Sequence, residues 1–223
     1  MIHYIKKLIA EGEHQQQDFK FEITDYQKIA KSLVAFANTD GGRLLIGVKD
    51  NGVIAGVRSE EEYFMIEGAA KLYCKPEVRF ETKEWNVDGK RVLEINIPRG
   101  DHRNPHYAKD KEGKWKVYIR KADQNLLANS VLLKVWKRQA SERGTFIRYT
   151  DAERTLLSYL EANKSITLSK FKRIAQIRVF QAENILVNFI VLGVIEMEIC
   201  ETTSIYWLRE DYKEILDNND LQS

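Results

Sequence analysis

The chain contains very little cysteine, which argues against structural disulfides and against a cysteine-rich metal site. Among 223 residues there are only two cysteines, Cys74 and Cys200, and they fall in different predicted domains. Neither belongs to a cluster with metal-ligand spacing, and a chain of this length can bury a proper core without cross-links. We therefore expect both to be reduced residues that take part in packing.

Long apolar segments are also missing. No apolar run approaches the roughly 20 residues that a helix needs to cross a bilayer. The first residues, 1–7, lack the apolar core and the cleavage site of a signal peptide. Hydrophobic residues make up 43% of the chain and charged residues 30%, which is typical of a soluble globular protein. These features predict a cytoplasmic protein without a membrane partner.

A strong charge of either sign is absent as well, since the formal net charge is only +2. Residues 1–150 carry 27 lysines and arginines against 21 acidic residues, whereas residues 151–223 carry 8 against 12. The first part is thus +6 and the second −4. A mildly positive first part permits a polyanionic partner, but it is far below the charge of a protein that coats DNA.

The clearest pattern that is present is a helix followed by a turn and a buried strand. Apolar residues recur at helical spacing over 26–37, and Thr24 or Asp25 can cap the start of this helix. The glycines of the turn at 38–42 tolerate positive φ, and residues 43–48 then form a strand that is apolar on both faces. Such a strand lies inside a sheet that is covered on both sides.

Antiparallel strand signals dominate the rest of the first part. The predicted elements are a strand at 53–57, a helix at 60–73, and strands at 78–84, 91–97 and 115–120. A mixture of antiparallel strands with a few helices predicts the α+β class, with a mixed or antiparallel sheet flanked by helices.

The composition changes towards the C-terminus. A basic and polar linker over 135–149 is predicted to separate a first domain, 1–134, from a second domain, 150–223. The second domain shows three helical patterns and then two strands, an order that predicts a small winged-helix domain. Its predicted helices and strands are 151–163, 168–174, 179–192, 194–201 and 204–209.

Three sequence blocks in the first domain occur together in a fixed order. They are Gly12-Glu13 with Asp18-Phe19-Lys20, then Phe36-Ala37-Asn38-Thr39-Asp40-Gly41-Gly42, and then Ile46-Gly47-Val48-Lys49-Asp50. In this combination the chain resembles the Schlafen AlbA-type domain family, also called divergent AAA, over residues 1–130. The resemblance implies a nucleic-acid-binding function for the first domain.

The resemblance also implies a set of acidic residues. In nuclease-active members of the family such acids bind a divalent metal and cut RNA, and Glu13, Asp18 and Asp50 match their places. Clustered carboxylates suit Mg²⁺ or Mn²⁺, which can activate a water against a phosphodiester. Asp18 stands where the family has Glu, which shortens its reach by one methylene. The alternative is that these acids pair with basic side chains such as Lys20 or Lys49, so whether the chain is an enzyme stays open.

The polar turn of Asn38, Thr39, Asp40, Gly41 and Gly42 allows two interpretations. Exposed glycine amides can receive a phosphate, which makes the turn a candidate nucleotide- or phosphate-binding site, with ATP as the ligand that the family name suggests. The chain lacks the Gly-x-x-x-x-Gly-Lys-Ser/Thr motif of P-loop proteins. In the structural interpretation, Asn38 and Asp40 cap the preceding helix while the glycines make the turn.

A basic and aromatic segment spans 102–121, with seven lysines and arginines against two acidic residues. Basic side chains neutralise phosphates, while Tyr107 and Trp115 can stack on unpaired bases. The nucleic-acid-binding candidates of the first domain are Lys20, Arg103, Lys114, Trp115, Arg120 and Lys121. The alternative is a solvated hairpin whose aromatic residues point inward.

The third predicted helix of the second domain carries candidates for reading DNA. Arg178 and Gln181 are expected to point outward, and such side chains form paired hydrogen bonds with guanine and adenine edges in the major groove. Because the second domain is net negative, contact with another protein is an equal alternative. Winged-helix regulators commonly work as two-fold dimers, so a homodimer is the expected assembly.

These interpretations predict a nucleic-acid-binding protein that acts as a transcriptional regulator. The alternatives are a metal-dependent endoribonuclease, which needs Mg²⁺ or Mn²⁺, and a regulator that binds ATP at the polar turn. The sequence does not decide between DNA and RNA.

Overall fold

We describe the protein from a computed structural model, which covers residues 4–141 and 149–220, with side chains for 4–141 and 149–216. The chain divides into two compact units, Met1–Leu127 and Ala128–Ser223.

The first unit combines helices with several small groups of strands. Its helices are α1 (Tyr4–Glu11), α2 (Tyr26–Ala37) and α3 (Glu61–Leu72). Its strands are β1 (Gln17–Lys20), β2 (Gly42–Ile46), β3 (Cys74–Lys75), β4 (Glu81–Val87), β5 (Lys90–Ile97), β6 (Tyr107–Lys109), β7 (Trp115–Lys116), β8 (Tyr118–Lys121) and β9 (Gln124–Leu127).

The main sheet has the strand order β1-β2-β5-β4, with β1 and β2 parallel and the other pairs antiparallel. Leu44 and Ile46 of β2 face the core that contains α2 and α3. Leu45 faces the opposite way, into a second core with Phe19 of β1 and Leu8 of α1. The predicted α+β class, with a mixed sheet flanked by helices, is confirmed.

Helix α2 forms where the hydrophobic pattern predicts it. The side chain of Asp25 caps its start, because Oδ1 accepts hydrogen bonds from the backbone amides of Gln27 at 2.9 Å and Lys28 at 3.1 Å. Its apolar stripe, which includes the fully buried Leu33 and Phe36, packs against the sheet. This helix supports the polar turn that follows it.

Several strand boundaries differ from the prediction. Residues 53–57 do not form a strand, and only an isolated bridge joins Val48 to Ile54, because the amides of Ala55 and Gly56 both donate to the Gly47 carbonyl. The single strand predicted at 115–120 is divided into β7 and β8. These belong to different sheets, since β7 pairs with β6 while β8 pairs with β9.

The second unit is built from helices and a small sheet. Its elements are α4 (Ser130–Gln139), α5 (Asp151–Ala162), β10 (Ile166–Thr167), α6 (Leu168–Ile174), α7 (Val179–Val191), β11 (Ile195–Ile199), β12 (Ser204–Leu208) and α8 (Tyr212–Asp220). The sheet has the antiparallel order β10-β12-β11. No single helix within 4–141 and 149–220 has the length and apolar character needed to cross a bilayer.

The start of the second unit differs from the predicted boundary at residue 134. Helix α4 lies partly in the predicted first domain and partly in the predicted linker, but its buried Val131 and Val135 belong to the same core as Leu186 of α7. The rest of the predicted linker includes 142–148, which lie outside the described residues. The basic composition of 135–149 therefore led to the prediction of a linker where the end of the amphipathic helix α4 lies.

Both cysteines are in the reduced thiol form. Cys74 is buried in the core of the first unit, and its Sγ lies 3.8 Å from the carbonyl oxygen of Ala30. Burial raises the pKa of this thiol to about 12, so it stays protonated and acts as a packing residue at neutral pH.

The turn after α2 requires glycine at position 41. Gly41 has a φ of +70°, and a Cβ at this position would lie 2.8 Å from the backbone nitrogen of Arg99 and 2.8 Å from the carbonyl oxygen of Ile97. We expect Gly41→Ala to lower the free energy of unfolding by about 2 kcal/mol or more, because a left-handed alanine costs about 1–2 kcal/mol and the backbone clash adds to it. Urea denaturation measures this change.

Gly89→Ala is the matched control. Gly89 has a similar φ of +77°, but no atom of the described residues lies within 4 Å of its Cβ position. We expect Gly89→Ala to lower the free energy of unfolding by only about 1–2 kcal/mol, because alanine in a left-handed conformation is strained but meets no clash here. Equal destabilisation by the two substitutions would contradict a steric requirement at Gly41.

Candidate nucleic-acid interface

The predicted acidic residues of β1 and the preceding segment are held in structural contacts. The Asp18 side chain is buried, with Oδ1 3.4 Å from Nη2 of Arg120 and Oδ2 2.6 Å from Nζ of Lys20. Glu13 accepts a hydrogen bond from the Phe19 amide at 2.9 Å. Burial, followed by the hydrogen bond with Asp18, raises the pKa of the Glu13 carboxyl. This geometry agrees with the alternative in which the acids pair with nearby basic groups.

The predicted three-acid metal site is not assembled. Asp50 lies exposed in the turn after Val48, whereas Asp18 is enclosed between two basic side chains. Within the described ranges 4–141 and 149–216, no group of three or more His, Cys, Asp or Glu side chains is arranged to hold a metal ion. Glu13, Asp18 and Asp50 therefore do not form such a group among the described residues, since the short turn leaves Asp50 exposed, and their role as a ligand set stays a prediction.

Arg120, predicted to bind nucleic acid, is a buried residue with only 3% of its surface exposed. Its Nη1 donates to Oδ1 of Asn125 at 3.0 Å, and its Nη2 donates to the Gln17 carbonyl at 3.2 Å and reaches Asp18. The guanidinium lies over the Phe36 ring, with Cζ 4.9 Å from the centroid. The Arg120 guanidinium therefore connects β8 with β9, β1 and α2. Because it is buried, it is not accessible to the phosphates of a nucleic acid.

The polar turn is occupied by its own contacts. Asn38 is buried, and its Nδ2 donates to the carbonyls of His106 at 2.8 Å and Tyr118 at 3.0 Å, while its Oδ1 accepts from the His106 amide at 2.8 Å. The amides of Thr39 and Gly41 both donate to the Phe36 carbonyl. Gly42 continues into β2 opposite Ile97.

These contacts favour the structural interpretation of the turn. Three of its amides already have acceptors, since that of Asn38 donates to the Val34 carbonyl, and Thr39 Oγ1 accepts from the Arg120 amide at 2.8 Å. Asp40 is exposed, and its Oδ2 accepts from Nε2 of Gln15 at 3.0 Å, which places a negative charge at the opening. A phosphate would find few free amides to bind at this turn, and the Asp40 carboxylate would repel it.

Three of the remaining basic candidates of the first unit are paired with acids close to them in sequence. Lys20 pairs with Asp18, Arg103 lies 2.8 Å from Asp101 and Lys114 lies 2.7 Å from Glu112. Lys121 is half-buried at the end of β8. The Arg103 and Lys114 pairs are largely exposed, so these cations remain accessible at small energetic cost.

Strands β3, β6 and β7 form a small antiparallel sheet whose outer face carries alternating lysine and aromatic side chains. Lys75 is paired with Tyr107, and Lys109 is paired with Trp115. Paired residues share a face, as do residues two apart on a strand, so these four side chains lie on one side of the sheet. We call them the lysine-aromatic face.

The opposite side of this small sheet is turned towards the core, where Cys74 and Ala108 are buried. On the outer face, Tyr107 is 36% exposed and Trp115 is 41% exposed. Nζ of Lys109 lies 6.0 Å from the centroid of the Trp115 ring. The prediction selected Trp115 but missed Lys75, because only strand pairing brings that residue beside Tyr107.

A cavity at the edge of the main sheet contains further residues that the sequence analysis did not select. Arg43, Arg79, Phe80 and Asn96 line it. Arg43 directly follows the polar turn, but nothing in the sequence indicates that it shares a cavity with Arg79, which lies between β3 and β4.

In the second unit, Arg178 and Gln181 lie exposed at the start of α7, as predicted from helical spacing. Oε1 of Gln181 accepts a hydrogen bond from the Arg178 amide at 3.1 Å, so this side chain also caps the helix. Val179 and Phe180 beside them are 49% and 62% exposed. The start of α7 therefore presents polar and apolar groups together.

The position of Arg120 predicts a structural role. We expect Arg120→Met to lower the free energy of unfolding by about 3 kcal/mol or more, because removing one partner leaves Asp18 buried with weaker compensation. Urea denaturation tests this, with Arg103→Met as the exposed control, for which a loss of at most about 1 kcal/mol is expected. Similar losses in the two variants would show that the buried network contributes little.

Parts of the chain are similar to known domain families and to solved structures. The model of the PCI domain matches residues 148–205. Among solved structures, the match to the DIP2311 protein from Corynebacterium diphtheriae has 19% identity and a TM-score of 0.44, and it covers 80% of this chain and 32% of that one. This chain thus spans about a third of that protein's length.

A second solved structure is the N-terminal domain of a RecG-related protein from Nitrosomonas europaea, with 18% identity and a TM-score of 0.39. That match covers 67% of this chain and 98% of the solved one. The model of the Schlafen AlbA_2 family matches residues 13–129. Because this match extends over more than half of the 223 residues, the protein belongs to the Schlafen AlbA_2 family.

Proposed function

We propose that the protein binds single-stranded nucleic acid through the lysine-aromatic face and acts as a regulator. Family membership supports a nucleic-acid-associated role for the first unit. The observation that carries the proposal is the shared face of Lys75, Tyr107, Lys109 and Trp115, which alternates cations with exposed rings.

The chemistry of this face suits unpaired bases. In antiparallel sheets, side chains directly opposite each other have Cβ atoms about 4.5–5.5 Å apart, so each lysine lies beside one ring. Bases stack on exposed aromatic rings without regard to sequence, while the lysines neutralise the phosphates that connect them. Bases within a duplex are already stacked on each other, so this arrangement favours a single strand.

The alternative functions receive less support from the geometry. An endoribonuclease needs several free carboxylates around one point, but Asp18 is enclosed by Arg120 and Lys20. ATP binding at the polar turn needs free amides, but those of Thr39 and Gly41 donate to Phe36. Binding without cleavage is therefore the function that the described residues support best.

Removal of a stacking ring should weaken binding of a single strand. We expect Trp115→Ala to reduce affinity for a short single-stranded oligonucleotide by about fivefold to 150-fold, because stacking on one base contributes about 1–3 kcal/mol. Fluorescence anisotropy of a labelled oligonucleotide measures the dissociation constant, with DNA and RNA strands compared side by side.

Phe64→Ala is the matched control for this measurement, because Phe64 is also exposed, at 62%, but lies on α3 outside the face. Lys109→Gln should reduce the slope of log affinity against log salt by about 0.7, the effect of one phosphate contact on a single strand. Lys28→Gln, an exposed lysine on α2, should leave that slope unchanged. Equal affinities of the Trp115→Ala and Phe64→Ala variants would refute the proposal.

For the second unit, the proposal is a winged-helix module that adds contact with duplex DNA and gives the protein a role in transcription. Helices α6 and α7 are bent by 113° from each other, close to the 90–120° of helix-turn-helix motifs. The hairpin of β11 and β12 follows α7, at the place of a wing. Because residues 151–223 carry 8 basic against 12 acidic residues, contact with another protein is the second candidate for this module.

The DNA-contact proposal predicts a specific loss at Arg178. We expect Arg178→Ala to weaken binding of a duplex by about tenfold, because a base or phosphate contact from arginine contributes about 1–3 kcal/mol, while binding of a single strand stays unchanged. Electrophoretic mobility shifts with both ligands measure this. Arg154→Ala, at another exposed arginine of this unit, on α5, is the control. Unchanged duplex binding would instead favour a protein partner for α7.

A further inference from the structure

The cavity at the edge of the main sheet has a volume of about 640 Å³. We call it the arginine cavity, and the side chains that matter for its chemistry are Gln16, Arg43, Arg79, Phe80, Glu81 and Asn96. Binding pockets for small molecules commonly measure about 300–1,000 Å³, so the space is sufficient for a ligand larger than a single inorganic anion.

Strand register places three of these residues in one row. Arg43 of β2 is paired with Asn96 of β5, and Asn96 is paired with Glu81 of β4. Because paired residues share a face, all three project from the same side of the sheet, the side on which Leu45 contacts α1. A guanidinium, an amide and a carboxylate thus lie on adjacent strands at the edge of that face.

The two arginines are not among the basic side chains of the first unit that are paired with acids. Among residues 4–141, no ion pair includes Arg43 or Arg79. Arg43 makes one long hydrogen bond, from Nη1 to the Tyr4 hydroxyl at 3.3 Å, and Arg79 is exposed. Two guanidiniums therefore line one concave space, and among residues 4–141 the Glu81 carboxylate, which also lines it, forms no ion pair with either of them.

Phosphate is the chemical group that best fits these arginines. The planar guanidinium presents several donors in a fork that matches phosphate oxygens, and two such groups can hold one phosphate from different sides. A cavity with unpaired cations also concentrates anions from solution.

The other walls favour a ligand that carries more than phosphate. Phe80 is half-buried, with its ring 6.5 Å from that of Tyr63, and it provides an apolar wall with Ile97 and Pro98. Glu81 and the amide oxygens of Asn96 and Gln16 accept hydrogen bonds, which suits the hydroxyl groups of a sugar or the amino group of a base. A bare phosphate offers nothing to Glu81 and would be repelled by it.

We propose that the arginine cavity binds a nucleoside monophosphate unit, either as a free nucleotide or as the terminal nucleotide of a strand. Arg43 and Arg79 hold the phosphate, Phe80 contacts the base or sugar, and Glu81 accepts from a ligand N–H or O–H group. A second cavity of about 490 Å³ shares Arg79 and Pro98 with the first and is also lined by Arg99, so a longer strand can continue beyond the site. This site does not depend on the lysine-aromatic face.

Titration calorimetry of the full chain tests the proposal. One arm uses nucleoside 5′-monophosphates, and a second uses a short oligonucleotide with or without a 5′-phosphate. We expect Arg79→Ala to weaken binding by about tenfold, the effect of losing one charge-assisted contact. Arg43→Lys should weaken it as well, because lysine keeps the charge but loses the fork. The arm that shows these losses identifies whether the ligand is free or part of a strand.

Arg58→Ala is the matched control, since Arg58 is an exposed arginine of the same unit that does not line the cavity. Trp115→Ala should leave nucleotide affinity unchanged, which separates this site from the lysine-aromatic face. Three results would overturn the proposal: no binding in either arm at millimolar ligand, equal affinities of the Arg79→Ala and Arg58→Ala variants, or inorganic phosphate binding as tightly as the nucleotide.

Discussion

The burial of the Arg120 guanidinium is the constraint on which the geometry of the first unit depends. A charge with 1% of its side chain exposed must find its partners within the fold, because an unpaired charge removed from water costs several kcal/mol. Arg120 obtains them from Asp18, the Gln17 carbonyl and Asn125, and Asn125 in turn donates to Ser32 of α2 at 3.0 Å. One cation therefore fixes the β8–β9 hairpin against both β1 and α2.

Asn38 extends this arrangement to the neighbouring loop. Its side chain holds the backbone of His106 and Tyr118, the residues next to β6 and at the start of β8. His102 also lies 2.9 Å from the Asn38 carbonyl through its Nε2. The end of α2 thereby positions the segment that carries Tyr107 and leads to Trp115. Asn38, which belongs to a sequence block shared with the family, therefore has a supporting role. The side chains that can contact a ligand lie on the segment that it positions.

The sequence predicts best those features that depend on neighbouring residues. Helix α2 and its Asp25 cap follow from hydrophobic spacing and from a short polar side chain before the first turn. The buried strand β2 follows from its apolar run, since Leu44 and Leu45 each need a covered face. Features that depend on pairing between distant strands could not be predicted. No local pattern places Lys75 beside Tyr107 or Arg43 beside Asn96, and the position of Asp50 depends on how the chain turns after Val48.

The lysine-aromatic face is assembled from strands that are far apart along the chain, since β3 contributes Lys75 and β6 contributes Tyr107. An unfolded chain does not hold these groups together, so a strand bound to the face binds the native state alone. By mass action such a ligand raises the melting temperature in proportion to the logarithm of its free concentration once the site is saturated. Nucleic acid would then stabilise the folded state of this protein. The resistance of the first unit to heat and proteolysis would depend on the concentration of free nucleic acid.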